Sequence, residues 1–386
     1  MSFVLFFSTL LPFFSSIVHA RNLEPIRPIT SGYCATCLHK RTEFPELDLR
    51  SEEVFLWGDS GSSDAVIANF TVSMPDNEEN ILNMEKFDGL LESVECSNTS
   101  MMLRFKDGAA FRYAQKVWDW VNGADNHSFV MVVGKGVCGW NTQRQPFVVS
   151  ALAYDTTSSV AHLNATSIGW RIAAHTYDLQ VGHLPSSNGS LQARDWTKSA
   201  AVDVSSSFPA SIKVSTGGIA GTLDCAKCET SGKLRFEMRV KTKYGVPYDA
   251  GIKIAPQDLS AVVKLKISAT GTLQDKIFSK DFVPVSIPLD PIGIEGLLDV
   301  GPRVTFATGV EVSDLTASLD LTGGATASLP NGAMADLDFL QPSNNKFSGW
   351  TPSVSLLPFE LDSRISTGLQ LYEKVTFDIA AEALGW

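Results

Sequence analysis

The feature that most constrains the fold is a strictly alternating run from Lys233 to Lys241, shortly after a Cys225-x-x-Cys228 pair. A period of two places successive side chains on opposite faces of a strand, so this run predicts a strand with one buried face. Before it the chain is mixed and rich in acidic residues, and after it the alternating pattern recurs almost to the end. The fold must therefore accommodate many strands in its second half.

The first twenty residues, which end in Val18-His19-Ala20, carry no charged side chain and contain an apolar run rich in Leu and Phe. Small residues at positions 18 and 20 suit a signal peptidase, so residues 1–20 are predicted to be a secretory signal peptide. A membrane anchor is disfavoured because the run is short and is broken by Pro12. We expect the mature protein to be soluble and to lie outside the cell or on its surface, without a membrane span.

Asn-x-Ser/Thr sequons also indicate an extracellular protein, since they are acceptors for N-linked glycans. The chain has five of them, all before Cys225, at Asn69, Asn98, Asn126, Asn164 and Asn188. Their confinement to one half predicts a glycosylated face there.

The six cysteines are an even number, which in an oxidising compartment predicts three disulfides. Cys96 and Cys138 form the natural long-range pair. The remaining four are Cys34, Cys37, Cys225 and Cys228, and each Cys-x-x-Cys pair could close locally or be cross-linked to the other. A zinc site made from the four thiolates is conceivable but disfavoured, because the two pairs lie far apart in a secreted chain.

The negative charge is concentrated in one segment. Between Arg41 and Glu95 there are 14 acidic and 3 basic residues, which amounts to the entire net charge of −11. A uniformly basic nucleic-acid-binding protein is therefore excluded. The segment could attract a cation, although a solvated loop face is the simpler interpretation.

The pattern of elements predicts a mainly β protein with two domains. Residues 21–64 should form an irregular lead-in, 65–184 an antiparallel sheet module with one helix, 185–210 a Ser-rich linker, and 211–386 an all-β sandwich or barrel-like domain. The helix is expected between Asp107 and Gly123, because apolar residues recur there at helical spacing. Turns are predicted at Ser231-Gly232, Gly245-Val246-Pro247, Gly323-Gly324 and Pro330-Asn331-Gly332.

Several motifs together carry a resemblance to a known family. They are Cys96, the helix end Lys116-Val117-Trp118-Asp119-Trp120, Cys138, Cys225-Ala226-Lys227-Cys228 with Ser231-Gly232, the stretch from Gly293 to Leu321, and Pro330-Asn331-Gly332. In this combination, from about residue 65 to 380, the chain resembles secreted fungal proteins built from two paired domains of unknown function. The resemblance implies association with the cell wall or surface and supplies no catalytic residue.

No coherent catalytic set is evident. Gly58-Asp59-Ser60-Gly61-Ser62 is similar to the nucleophile loop of trypsin-like proteases, but the His175 segment follows it where that family has histidine first. His175 and His183 would share a face with Tyr177 on a continuous strand, yet their spacing does not suit adjacent metal ligands. Asp119, Glu237 and Asp299 sit beside apolar residues and are expected to be partly buried, but the presence of carboxylates does not by itself define a glycosidase. We therefore predict no catalytic residue, no metal and no cofactor.

Tryptophans concentrate in the predicted first domain, at Trp118, Trp120, Trp140 and Trp170. Trp118 has the spacing of a helix core residue, whereas Trp120 lies on another face and is the candidate for ligand binding. The leading hypothesis is a non-catalytic binding or structural protein, whose candidate partners are a cell-wall polysaccharide and another extracellular protein. The alternatives are an extracellular enzyme acting on carbohydrate and a carrier of an apolar ligand inside the second domain.

Overall fold

The computed structural model describes residues 21–27, 44–59, 66–183, 200–207, 211–216, 219–272, 277–288, 292–313, 316–362 and 368–384. The predicted signal peptide, Cys34, Cys37, Ser60 to Ser62 and Asn188 lie outside the described residues. No helix of the described part combines the length and the apolar composition that crossing a membrane requires.

The first half of the chain contributes short and medium strands and two α-helices. The helices are α1 (Gly108–Trp118) and α2 (Trp170–Ala173). Short 3₁₀ helices span Pro45–Leu47, Met84–Lys86, Asp88–Leu90 and Asp119–Gly123. The strands are β1 (Arg21–Asn22), β2 (Glu24–Ile26), β3 (Glu52–Gly58), β4 (Val66–Ser73), β5 (Glu79–Asn83), β6 (Leu91–Cys96), β7 (Ser100–Phe105), β8 (Ser128–Val133), β9 (Gln145–Asp155), β10 (Val160–Ser167) and β11 (Tyr177–His183).

The second half is almost entirely strand, and some strands are long. They are β12 (Ala200–Asp203), β13 (Ser206–Ser207), β14 (Ser211–Thr216), β15 (Ile219–Lys243), β16 (Val246–Thr272), β17 (Ile277–Pro288), β18 (Ile292–Ile294), β19 (Leu298–Ser313), β20 (Thr316–Ser328), β21 (Met334–Asp338), β22 (Lys346–Ser348), β23 (Ser353–Asp362) and β24 (Gly368–Ala383). One 3₁₀ helix spans Pro342–Asn344. The prediction of a mainly β protein is confirmed.

A six-stranded sheet with the order β5-β8-β9-β10-β7-β6 forms the centre of the first half. Its pairs are antiparallel except for β5 with β8. Helix α1 covers one face, and it begins where the Asp107 carboxylate accepts a hydrogen bond of 2.9 Å from the Ala109 amide. The predicted helix is confirmed, and Phe111 and Trp118 on its inner side are buried.

The other face of this sheet packs against a second, larger sheet. The apolar residues of strand β8 are buried on both faces of the six-stranded sheet, as a strand between two packed layers requires. Phe129, Met131 and Val133 belong to the core under helix α1, whereas Val130 and Val132 belong to the core shared with the larger sheet.

The larger sheet crosses from the first half of the chain to the second. Its main path runs β2-β3-β4-β11-β15-β16-β20-β23, and β11 is hydrogen-bonded to β4 on one side and to β15 on the other. A third sheet contains β1, β17, β18, β19 and β24. The described strands do not close into a barrel.

Several local features differ from the predictions. Ser231 and Gly232 do not turn the chain; they lie at a bulge inside the continuous strand β15. Likewise Gly323 and Gly324 lie inside β20, at a register shift against β23. Glycine at these positions allows the backbone of a neighbouring strand to approach closely, which the sequence pattern does not distinguish from a turn.

Other differences concern segments expected to be irregular. Strand β3 lies within the expected irregular lead-in, and β12 and β13 lie within the expected linker. Strands β12 and β13 have only four and two residues, too few for alternation to mark them in the sequence. A different case is the stretch from Ile172 to Val181, where alternation in the sequence predicts one continuous strand, but Ile172 lies within helix α2 and β11 starts only at Tyr177.

Candidate functional site

An open pocket of about 360 Å³ lies where four segments of the two halves meet. The segments are the loop between β4 and β5, the turn before β8, the chain before β11 and the tip of the β15–β16 hairpin. The residues lining the pocket are Asp76, Glu78, Glu79, Asn126, His175 and Tyr244. Only Tyr244 comes from the second half of the chain.

The hairpin tip is held in place by backbone hydrogen bonds. Tyr244 and Gly245 both have positive φ angles, 50° and 74°, as a two-residue type I′ turn requires. The Gly245 amide donates to the His175 carbonyl at 2.6 Å, and the Tyr244 amide donates to Thr176 Oγ1 at 3.0 Å. The backbone of the hairpin tip that carries Tyr244 is therefore held against the first half of the chain.

Four of the polar side chains that line the pocket contact each other in two pairs. Tyr244 Oη donates a hydrogen bond of 3.3 Å to Asp76 Oδ1, and His175 Nε2 lies 2.9 Å from Glu79 Oε2. The nearby Asp76 carboxylate raises the pKa of the Tyr244 phenol, with smaller effects from desolvation and from the hydrogen bond itself. The Tyr244 ring is parallel to that of His175, with an interplanar angle of 5° and centroids 6.4 Å apart.

This arrangement suits a polar ligand with an apolar face. Tyr244 is 54% exposed, with the Lys243 amine 5.7 Å from its ring centroid, so part of the ring remains open to a ligand. The carboxylates beside it can accept hydrogen bonds from hydroxyl or amino groups. Among the residues that the structure describes, no group of three or more His, Cys, Asp or Glu side chains could hold a metal ion.

Asn126 borders the pocket from an exposed turn before β8. The turn is closed by a hydrogen bond of 3.1 Å from the His127 amide to the Ala124 carbonyl. The Ser128 amide donates to the Glu78 carbonyl at 3.0 Å, which joins the turn to the acidic loop. The sequon at Asn126 is thereby attached to the pocket wall.

The structure places two of the three expected disulfides. Cys96 and Cys138 are bonded, with their Cα atoms 5.3 Å apart, as predicted. Cys225 and Cys228 are bonded to each other within β15, so this pair closes locally and is not cross-linked to the other Cys-x-x-Cys pair.

The sequons differ in exposure. Asn98, Asn126 and Asn164 are exposed. Asn69 is half-buried in β4, and its side-chain oxygen is buried without a hydrogen-bond partner among the described residues. Asn69 is therefore the least accessible of the described acceptors.

Trp118 lies in the core as expected, but the ring of Trp120, the candidate for ligand binding, is less accessible than expected. Trp118 is buried, and its indole nitrogen donates to the Leu47 carbonyl at 2.8 Å. Trp120 is half-buried and stacks on His127, with centroids 4.1 Å apart and an interplanar angle of 9°, so one face of its ring is covered. Trp140 is 48% exposed and is the more accessible ring.

The other sequence candidates are not brought together. His175 lies in the chain before β11, so it does not share one strand face with His183 and Tyr177. Asp119 and Asp299 are exposed and Glu237 is half-buried, and none of them lines the pocket. Tyr244 does not stand out in the sequence, where its local signal is its place beside Gly245 at a predicted turn.

The fold and the pocket define a mainly β protein whose two halves share one sheet and enclose a polar, aromatic-walled cleft between them. Residues 74–178 match the family model described as Domain of unknown function (DUF7029), and residues 195–386 match the one described as Domain of unknown function (DUF7223). The chain belongs to the proteins that carry this pair of domains, which confirms the two-domain resemblance. No curated protein and no solved structure matches the chain.

Proposed function

We propose that this is a secreted, glycosylated protein of the extracellular space or cell wall, which binds polysaccharide without catalysis through the pocket at Tyr244. The observation that carries the proposal is an aromatic ring, 54% exposed, fixed beside three carboxylates in an open cleft. Sugar rings have apolar C–H faces that pack on aromatic rings, and their hydroxyl groups donate to carboxylates.

The predicted compartment supports the same proposal. The first twenty residues have the composition of a signal peptide, and two disulfides bridge the described part of the chain. The exposed sequons at Asn98, Asn126 and Asn164 are suitable acceptors for glycans.

The test is retention on insoluble chitin, β-glucan and mannan, with the mature chain made without N-glycans in an oxidising bacterial compartment. Tyr244→Ala should lower retention roughly tenfold, since a tenfold change corresponds to about 1.4 kcal/mol and an aromatic contact supplies a similar amount. Tyr248→Ala is the matched control, because Tyr248 is 63% exposed on the same hairpin but does not line the pocket. Equal retention of the Tyr244→Ala and unmodified proteins would refute the proposal.

A second candidate is hydrolysis of a glycan in the same pocket, because Asp76, Glu78 and Glu79 place carboxylates along its wall. Soluble sugar released over time in the same tubes distinguishes the two functions. Release that disappears in Glu79→Gln would establish the enzyme and exclude purely non-catalytic binding.

A further inference from the structure

Asn126 is the described sequon that lies at the pocket. Its side chain is exposed and lines the cleft together with Tyr244, whereas Asn98 and Asn164 do not line it. A sugar attached to Asn126 Nδ2 would therefore begin at the pocket wall itself.

The attachment point is also held in a fixed position. His127 Nδ1 donates to the Trp120 carbonyl at 2.8 Å, and the His127 ring stacks on the Trp120 ring. Together with the backbone bonds of the turn, these contacts prevent the chain at Asn126 from swinging away from the cleft. The first sugar of a glycan there would therefore start beside the residues that line the cleft.

We propose that an N-linked glycan on Asn126 occupies the mouth of the pocket and competes with external polysaccharide, so that the glycan's presence and length regulate binding. This inference rests on the proposed function. In the modification, the Asn126 amide nitrogen loses a proton and bonds to the anomeric carbon of an oligosaccharide. The bond from that carbon to the pyrophosphate of a lipid carrier breaks, and the lipid pyrophosphate leaves.

The test compares variants of the full chain secreted from a glycosylating eukaryotic host. Ser128→Ala removes the sequon but keeps the Asn126 side chain in the pocket. Thr166→Ala removes the sequon of Asn164, which is exposed on β10 and does not line the pocket, and serves as the control. Peptide mass spectrometry should find a glycan at Asn126 in the unmodified protein.

We expect Ser128→Ala to raise retention on the insoluble polysaccharides about tenfold, and Thr166→Ala to leave it unchanged. Enzymatic deglycosylation of the unmodified protein should reproduce the Ser128→Ala result. An unoccupied Asn126, or equal and measurable retention of the glycosylated and Ser128→Ala proteins, would overturn the inference while leaving the binding proposal intact.

A readout that does not depend on polysaccharide separates the two proposals. Nitration of tyrosines by tetranitromethane, followed by peptide mass spectrometry, measures access to Tyr244 relative to Tyr248. The glycan should slow nitration of Tyr244 several-fold and leave Tyr248 unaffected. Equal Tyr244 rates in the glycosylated and Ser128→Ala proteins would overturn the inference even if neither protein bound polysaccharide.

Discussion

At the scale of single residues, Arg144 is the most heavily partnered side chain of the described core. Its guanidinium is fully buried, and it donates to both carboxylate oxygens of Glu85 at 2.9 and 2.7 Å. It also donates to the carbonyls of Leu56 at 2.7 Å and Ile26 at 3.0 Å, and lies 4.6 Å from the Trp57 ring centroid. A buried cation is tolerated here because these partners replace water.

Replacing Arg144 with Met should lower the free energy of unfolding by about 3–5 kcal/mol, because the Glu85 carboxylate is left buried without its partner. Urea denaturation measures the change. The double variant Arg144→Met with Glu85→Gln should recover part of the loss. A single variant as stable as the unmodified protein would show that the ion pair contributes little.

Some functional and core residues can be predicted from the sequence and others cannot, for a physical reason. Trp118 recurs with other apolar residues at helical spacing, which indicates a buried helix face and places it in the core. The even number of cysteines, and the position of Cys96 and Cys138 outside the two Cys-x-x-Cys pairs, predict the Cys96–Cys138 disulfide. Neither Arg144 nor Tyr244 could be found in this way, since their partners come from distant segments of the chain. Local periodicity carries no information about such contacts.

At the scale of elements, the longest strands depend on bulges. Strand β15 pairs with β16 along almost its whole length, with register shifts at Cys225/Lys227 and Ser231/Lys233. Gly232 occupies the second shift with a φ of 106°, and a Cβ atom there would lie 2.4 Å from the Asp258 carbonyl oxygen. Because glycine permits the bulge, β15 continues as one strand through this position.

Gly232→Ala should therefore lower the free energy of unfolding by about 1–3 kcal/mol, the usual cost of a strained backbone position, or more if the clash is not relieved. Thermal unfolding followed by circular dichroism measures the loss. Gly332→Ala is the control, since no neighbouring atom lies within 4 Å of the place that a Cβ atom would take there, and its φ is not positive. Equal melting temperatures for both variants would contradict the close approach at Gly232.

The alternation along Lys233 to Lys241 predicts the buried face of β15 correctly, with Leu234, Phe236, Met238 and Val240 all buried. The same pattern could not indicate where a strand ends. Glycine pairs such as Gly323-Gly324 occur both in turns and at bulges, and only the neighbouring strand decides between them.

At the scale of the whole molecule, β11 joins the two halves. Leu179 is fully buried and lies between Phe70 of β4 and Val240 of β15 in the sheet register. The strands on both sides therefore depend on the same buried side chain.

Leu179→Ala should destabilise the protein by about 2–5 kcal/mol through the cavity it creates. Hydrogen exchange should show reduced protection in β4 and β15 together, because both pack through this strand. Leu356→Ala, at a position 75% exposed on β23, should change neither. Protection lost in β4 alone would mean that the two halves open independently.

The pairing of β11 with β15 also bears on how such chains evolve. The boundary between the two matched families falls close to a continuous backbone ladder from Tyr177 to Val181. Recombination at that boundary would leave each product with an exposed edge strand whose backbone N–H and C=O groups are unpaired. We therefore expect natural selection to have kept the two domains as one unit of inheritance.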